Sequence, residues 1–126
     1  MRRKILVVGS NPFHRHTLVE RLSFSGYDVS QTSRGREALD LLRRERPQLL
    51  ILQYPMALAR GSTLVNVMKA DPSIAKTPIL NLTPDDSEEA RERAKEAGVD
   101  SYIPLPVTPA RVLEEVRRLI GHAFED

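Results

Sequence analysis

The stretch "LLILQYPM", Leu49–Met56, runs through four apolar residues without a break and stops at an amide, Gln53. An uninterrupted apolar run of this length predicts a strand covered on both faces. In an α/β protein the residue that ends such a strand faces the edge of the sheet where ligands bind and chemistry happens. Here that residue is a carboxamide and not a group that reacts.

Outward from this strand, strand and helix signals alternate. Upstream, "GREALDLLRRER" (Gly35–Arg46) carries Ala38, Leu41 and Leu42 on one helical face, and Pro47 ends it. Before that, "YDVSQT" (Tyr27–Thr32) predicts a short strand. "KILVV" (Lys4–Val8) predicts the first strand, and "PFHRHTLVERLSFSG" a helix with Phe13, Leu18 and Leu22 at helical spacing, stopped by Gly26. Downstream, a loop from Tyr54 to Gly61 leads to a helix over about Ser62–Ala70, with Leu64, Val67 and Met68 inward. "PILNLT" (Pro78–Thr83) is a fourth strand. "DDSEEARERAKEAG" (Asp85–Gly98) is a helix with acids early, where the helix dipole favours them, one of Asp85 and Asp86 serving as cap. "VDSYIP" is a fifth strand, and "TPARVLEEVRRLIG" a last helix with Thr108 as cap and Pro109 in its first turn. Five β–α units predict an α/β fold with a parallel sheet covered by helices on both sides. With right-handed crossovers, the flavodoxin-like order 2-1-3-4-5 leads, a (βα)5 three-layer sandwich in which the loops after strands one, three, four and five border one crevice.

The chain has 126 residues, which suits one domain over 1–126. It has no cysteine, which excludes disulfides, thiolate metal sites and cysteine nucleophiles. Apolar runs are strand-length, and the stretch after the basic start "MRRK" is too short for a secretion signal, so no membrane association and a cytoplasmic location are expected. Net charge is +2 with both signs abundant. Arg2–Lys4 and Arg43–Arg44 read as solvated faces, so nucleic acid is not an expected partner of this domain.

Taken in order, "KILVV", "GYDVSQTSRGREALDLL", "RPQLLILQYPMALARG", "MKADPSIAKTPILNLT" and "AKEAGVDSYIPLP" resemble the receiver domains of bacterial two-component response regulators over essentially the whole chain. The resemblance implies a phosphoacceptor aspartate ending the third strand, an acidic pair for Mg²⁺ after the first, a hydroxyl after the fourth and a lysine after the fifth. Those positions hold Gln53, then Gly9 and Ser10, then Thr83, then Leu105. Tyr102 matches the family's aromatic switch position. The resemblance also implies a cis bond at Leu105–Pro106.

An amide nitrogen is no nucleophile toward phosphorus, because its lone pair is delocalised into the carbonyl. Mg²⁺ wants octahedral oxygen ligands that include carboxylates, and neither Gly9 nor Ser10 supplies one. With Leu105 the remaining cation is gone as well. Without the acids a half-buried lysine would stand unpaired and costly, whereas leucine buries apolar surface. Gln53 is expected to satisfy itself against Thr83, Ser10 or backbone. A neutral, structural pocket follows, with no metal and no cofactor.

Other candidates are weaker. His14 and His16 are spaced i, i+2, on different helix faces, unlike a metal pair. Ser10 with His14 has no acid to orient the histidine. Tyr54, Met56 and Leu58 either fold back over the crevice or face a partner. Three functions follow. The leading one is a pseudo-receiver that is not an enzyme and acts by binding protein partners of a bacterial signalling pathway, a homodimer among them. Its contacts would lie on a face carrying Arg91, Lys95, Tyr102 and Arg111 or Glu115. The second is a conventional phosphorelay regulator with a substitute acceptor. The third is a small-ligand sensor holding a metabolite or anion between Ser10, Thr83 and backbone amides.

Overall fold

A computed structural model describes residues 1–53 and 63–124 of the chain. The expectations for Tyr54, Met56, Leu58 and Gly61 lie outside the described residues. Among the described residues ten elements alternate: β1 Lys4–Val8, α1 Pro12–Phe24, β2 Asp28–Thr32, α2 Gly35–Glu45, β3 Leu49–Gln53, α3 Leu64–Lys69, β4 Ile79–Thr83, α4 Glu88–Ala97, β5 Ser101–Pro104 and α5 Pro109–Ile120. All strand pairs are parallel, in the order β2-β1-β3-β4-β5. Both the class and the strand order match the sequence expectation.

Pleating divides the core into two layers. Ile5 and Val7 of β1, Leu49 and Ile51 of β3, and Leu80 and Leu82 of β4 face α1 and α5. Leu6, Val8, Leu50, Leu52 and Ile79 face α2 and α3. Because both faces are covered, "LLIL" has no polar alternate. Leu18 and Leu22 carry the buried side of α1, but Phe13 is 74% exposed, against its expected inward place. Five positions from Phe13 to Leu18 rotate about 140° around the helix beyond one full turn, so the two cannot share a narrow face. Val67 is half-buried, beside buried Leu64 and Met68.

Caps set most helix starts. Asn11, Thr63, Ser87 and Thr108 accept from the backbone N–H three residues on. The cap of α4 is therefore Ser87 and neither expected aspartate. Asp85 instead accepts from Ser87 N at 3.0 Å, and Asp86 pairs with Arg91. The helix starts three residues later than the acidic run suggests, since the Ser87 hydroxyl and not a carboxylate satisfies the free N–H of Ala90. At the other end of α2, Arg46 takes a left-handed conformation, φ 47°, where the helix stops before Pro47. β5 ends on Pro104 at the sheet edge, where a missing N–H costs no ladder bond. The Leu105–Pro106 bond is cis, as the resemblance implied.

Two polar arrangements tie α5 down. Arg3 N donates to Ala123 O at 2.6 Å, its guanidinium reaches the carbonyls of His122 and Phe124, and the Tyr27 hydroxyl donates to Gly121 O. The basic start of the chain is thus partly structural. Farther along, Glu115 is buried, accepting from Ser101 and from Arg118, with Arg111 at 3.7 Å. The Arg118 bonds, stronger than the opposing burial, hold its carboxyl down at about 2.

A carboxylate depressed on folding contributes stability that is present above its unfolded value and disappears as pH falls through the folded one. Acid titration of the melting temperature should therefore drop most steeply from about pH 4.5 toward 2. Glu115→Gln should flatten that segment while lowering stability at neutral pH. An unchanged acid limb in the variant would count against this role.

Candidate functional site

Strand register builds the site. Val8 pairs with Leu52, which sets Gly9 opposite Gln53; Gln53 pairs with Leu82, and Thr83 with Pro104. The strands therefore end level, and Gly9, Gln53, Thr83 and Leu105 gather at one edge. Alternation then separates them. Gln53 and Leu82 turn to the α1/α5 side, whereas Thr83, one step on, turns the other way.

That separation corrects the expected hydrogen bond from Gln53 to Thr83. The Thr83 hydroxyl accepts instead from Asp85 N at 3.2 Å. Gln53 is 8% exposed, and among the described residues its Oε1 has no hydrogen-bond partner, neither Ser10 nor backbone. Its side chain lies over Gly9. A Cβ placed on Gly9 would sit 2.3 Å from Gln53 Oε1, 3.0 Å from its Cβ and 3.1 Å from its Cδ. The glycine is needed for this close approach of a side chain to the backbone.

Above Gln53 opens a crevice of about 640 Å³ between the start of α1 and the start of α5. Leu82 shares its floor, Leu105, Val107 and Val112 form one wall, and Ser10, Phe13 and His14 the other. Leu105 packs against the α1/α5 core layer and donates its N–H to Thr83 O at 2.8 Å. Leucine here covers apolar surface, as expected. His14 is the one titratable side chain among the described lining residues, and both it and His16 are exposed. The described residues contain no group of three or more His, Asp or Glu suited to a metal.

Arg15 was not legible as a site residue. It reaches back from α1, donating through Nη1 to Gly9 O at 2.6 Å and through Nε to Gln31 at 3.0 Å. Helical side chains tilt toward the N-terminus, so a first-turn arginine after β1 is aimed at that strand's end. It pins the carbonyl of the residue that Gln53 covers.

The expected partner face lies across the same edge. The Tyr102 hydroxyl donates to the Asp85 carbonyl, and Arg91 stacks over the Tyr102 ring at 5.0 Å. Burial, then the nearby Asp85 charge, pushes the Tyr102 phenol up, with the Thr83 hydroxyl acting against them. Arg91, Lys95 and Arg111 are exposed, and Glu115 is not, which settles the helix phase. Asp85 thus joins Thr83 through its N–H and Tyr102 through its carbonyl.

Comparison with known proteins places this architecture. A family model for the response regulator receiver domain matches residues 5–117. The polar-differentiation response regulator DivK of Brucella anthropi is 26% identical, over 98% of this chain and all of its own length. The response regulator MprA of Mycolicibacterium vanbaalenii is 34% identical over 98% of this chain, which spans 52% of that relative. Among solved structures, the chemotaxis response regulator CheY4 of Vibrio cholerae superposes with a TM-score of 0.86 at 27% identity, covering 95% of this chain and all of its own.

The contact of Gln53 with Gly9 predicts coupled substitutions. Gly9→Ala should cost about 1–3 kcal/mol in the native background, as overpacking does. In a Gln53→Ser background, which removes Oε1 and Cδ, that cost should fall by about 1 kcal/mol or more. Additive denaturant midpoints across the four proteins would contradict the packing described.

Proposed function

Because the chain belongs to the response regulator receiver domain family, we propose that it is a signalling module of the two-component type that works without accepting a phosphoryl group. The observation that carries this reading is the carboxamide of Gln53 lying on Gly9. The reading takes Gln53 to stand at the phosphoacceptor position and Gly9 at one of the two positions for metal-binding acids. An amide cannot attack phosphorus, and its own bulk fills the space that a side chain at position 9 would need.

Mg²⁺ does not fit these residues. The cradle is occupied by a neutral amide, Gly9 has no side chain, and Ser10 offers only a hydroxyl. Leu105, packed against the core, brings no counter-charge. No step is therefore assigned to a metal, and the carboxamide at the acceptor position cannot itself take the phosphoryl group in a conventional phosphorelay role.

Function then lies in protein contacts of a two-component or related pathway in the cytoplasm, with residues 1–126 acting as one domain. The face of α4, β5 and α5 suits them. No residue of α4 is buried, so its surface is available to a partner, a second copy of the chain included. Arg91, Lys95, Arg111 and Tyr102 would meet that partner. Exposed cations among acids favour orientation and specificity more than affinity. The Thr83–Asp85–Tyr102 link holds the ring in place under Arg91, so the face is preorganised without a phosphoryl switch.

Two measurements test this reading. Incubation with acetyl phosphate and Mg²⁺ should leave the intact mass unchanged, and Gln53→Asp alone should stay unlabelled for lack of counter-charge; a stable phosphorylated species on the native chain overturns it. Affinity capture from a bacterial lysate should recover a specific partner that Tyr102→Ala loses. Equal recovery by the variant would move the contact surface elsewhere.

A further inference from the structure

We propose that the crevice over Gln53 is a binding site for a small uncharged molecule with an apolar body and one hydrogen-bond donor. Its volume of about 640 Å³ lies within the range of small-molecule sites. Leu82, Leu105, Val107 and Val112 give the apolar lining such sites use. No Asp, Glu, Lys or Arg is among the described lining residues, so a charged ligand would be desolvated without a counter-charge. This replaces the anion pictured between Ser10 and Thr83, since Thr83 turns to the other face of the sheet and is not among the described lining residues.

The second observation is the orphaned acceptor. Gln53 is more than nine-tenths buried, lines the crevice, and has an Oε1 without a partner among the described residues. Buried acceptors left unmet are costly and uncommon. The last torsion of glutamine is broad, so rotation about it can turn that oxygen from Gly9 toward the crevice. A ligand O–H or N–H placed there restores the missing bond, while its apolar body displaces water from the leucine and valine wall. Phe13, 74% exposed at the start of α1, stands at the rim and can close over an aromatic or aliphatic guest. The site does not depend on whether the chain accepts phosphate, so its test and the phosphodonor test fail separately.

The probes are benzyl alcohol and toluene, which share a ring and differ by one donor. NMR titration should show saturable one-site shifts of the Gln53 side-chain amide and of the Leu105, Val107 and Val112 methyls. Benzyl alcohol should bind about three- to tenfold more tightly, the worth of one ordinary hydrogen bond. Gln53→Leu should keep toluene binding and erase the preference. Ser10→Trp from one wall, and Val107→Trp from the other, should each block both probes without loss of the amide spectrum of a folded chain. Shifts that do not saturate, lie outside the crevice, or survive both blocking variants overturn the site. A preference that persists in Gln53→Leu overturns the role of the amide.

Discussion

A parallel sheet has no face it can leave in water, and that constraint organises this molecule. The central strands are apolar on both sides, so each crossover helix must fold back to cover one of them. Covering β1 and β3 from both sides forces the level register in which Gly9 meets Gln53 and Thr83 meets Pro104. The crevice is the gap left where α1 and α5 begin.

What fills that gap is governed by electrostatics. A receiver-like pocket with acids needs a cation, and one with a cation needs acids; either alone is an unpaired buried charge. Here the described lining holds no Asp, Glu, Lys or Arg, and Gly9, Gln53 and Leu105 are mutually compatible. Gln53 can lie over Gly9 only because Gly9 has no Cβ, and Leu105 packs against the core with no carboxylate among the described lining residues. Arg15, at this strand end, already has a backbone partner in the Gly9 carbonyl.

The end of β4 and the outer face meet at a single residue, Asp85. It bonds Thr83 through its N–H and Tyr102 through its carbonyl. Arg91 lies on the ring and is itself held by Asp86. The loop after β4 is thus joined to Tyr102 by a direct hydrogen bond. Glu115, bonded to Ser101 and Arg118, ties the start of β5 to the middle of α5.

Local pattern decided a good deal. Alternating strand and helix signals, Pro109 in a first turn, Thr108 as cap and the run "LLIL" each act over a few residues, and the elements and strand order follow from them. The identity of Ser10, Gln53 and Leu105 also kept charge out of these positions of the crevice lining, since charge is a property of residue type. Other features needed the tertiary structure. Ser87 displaced the aspartates as cap, Phe13 turned outward, Gln53 and Thr83 parted to opposite faces, and Arg15 reached Gly9. Each depends on register, helix phase or a contact between residues far apart in the chain. Such distances are set by how the layers pack, and no spacing along the sequence encodes them.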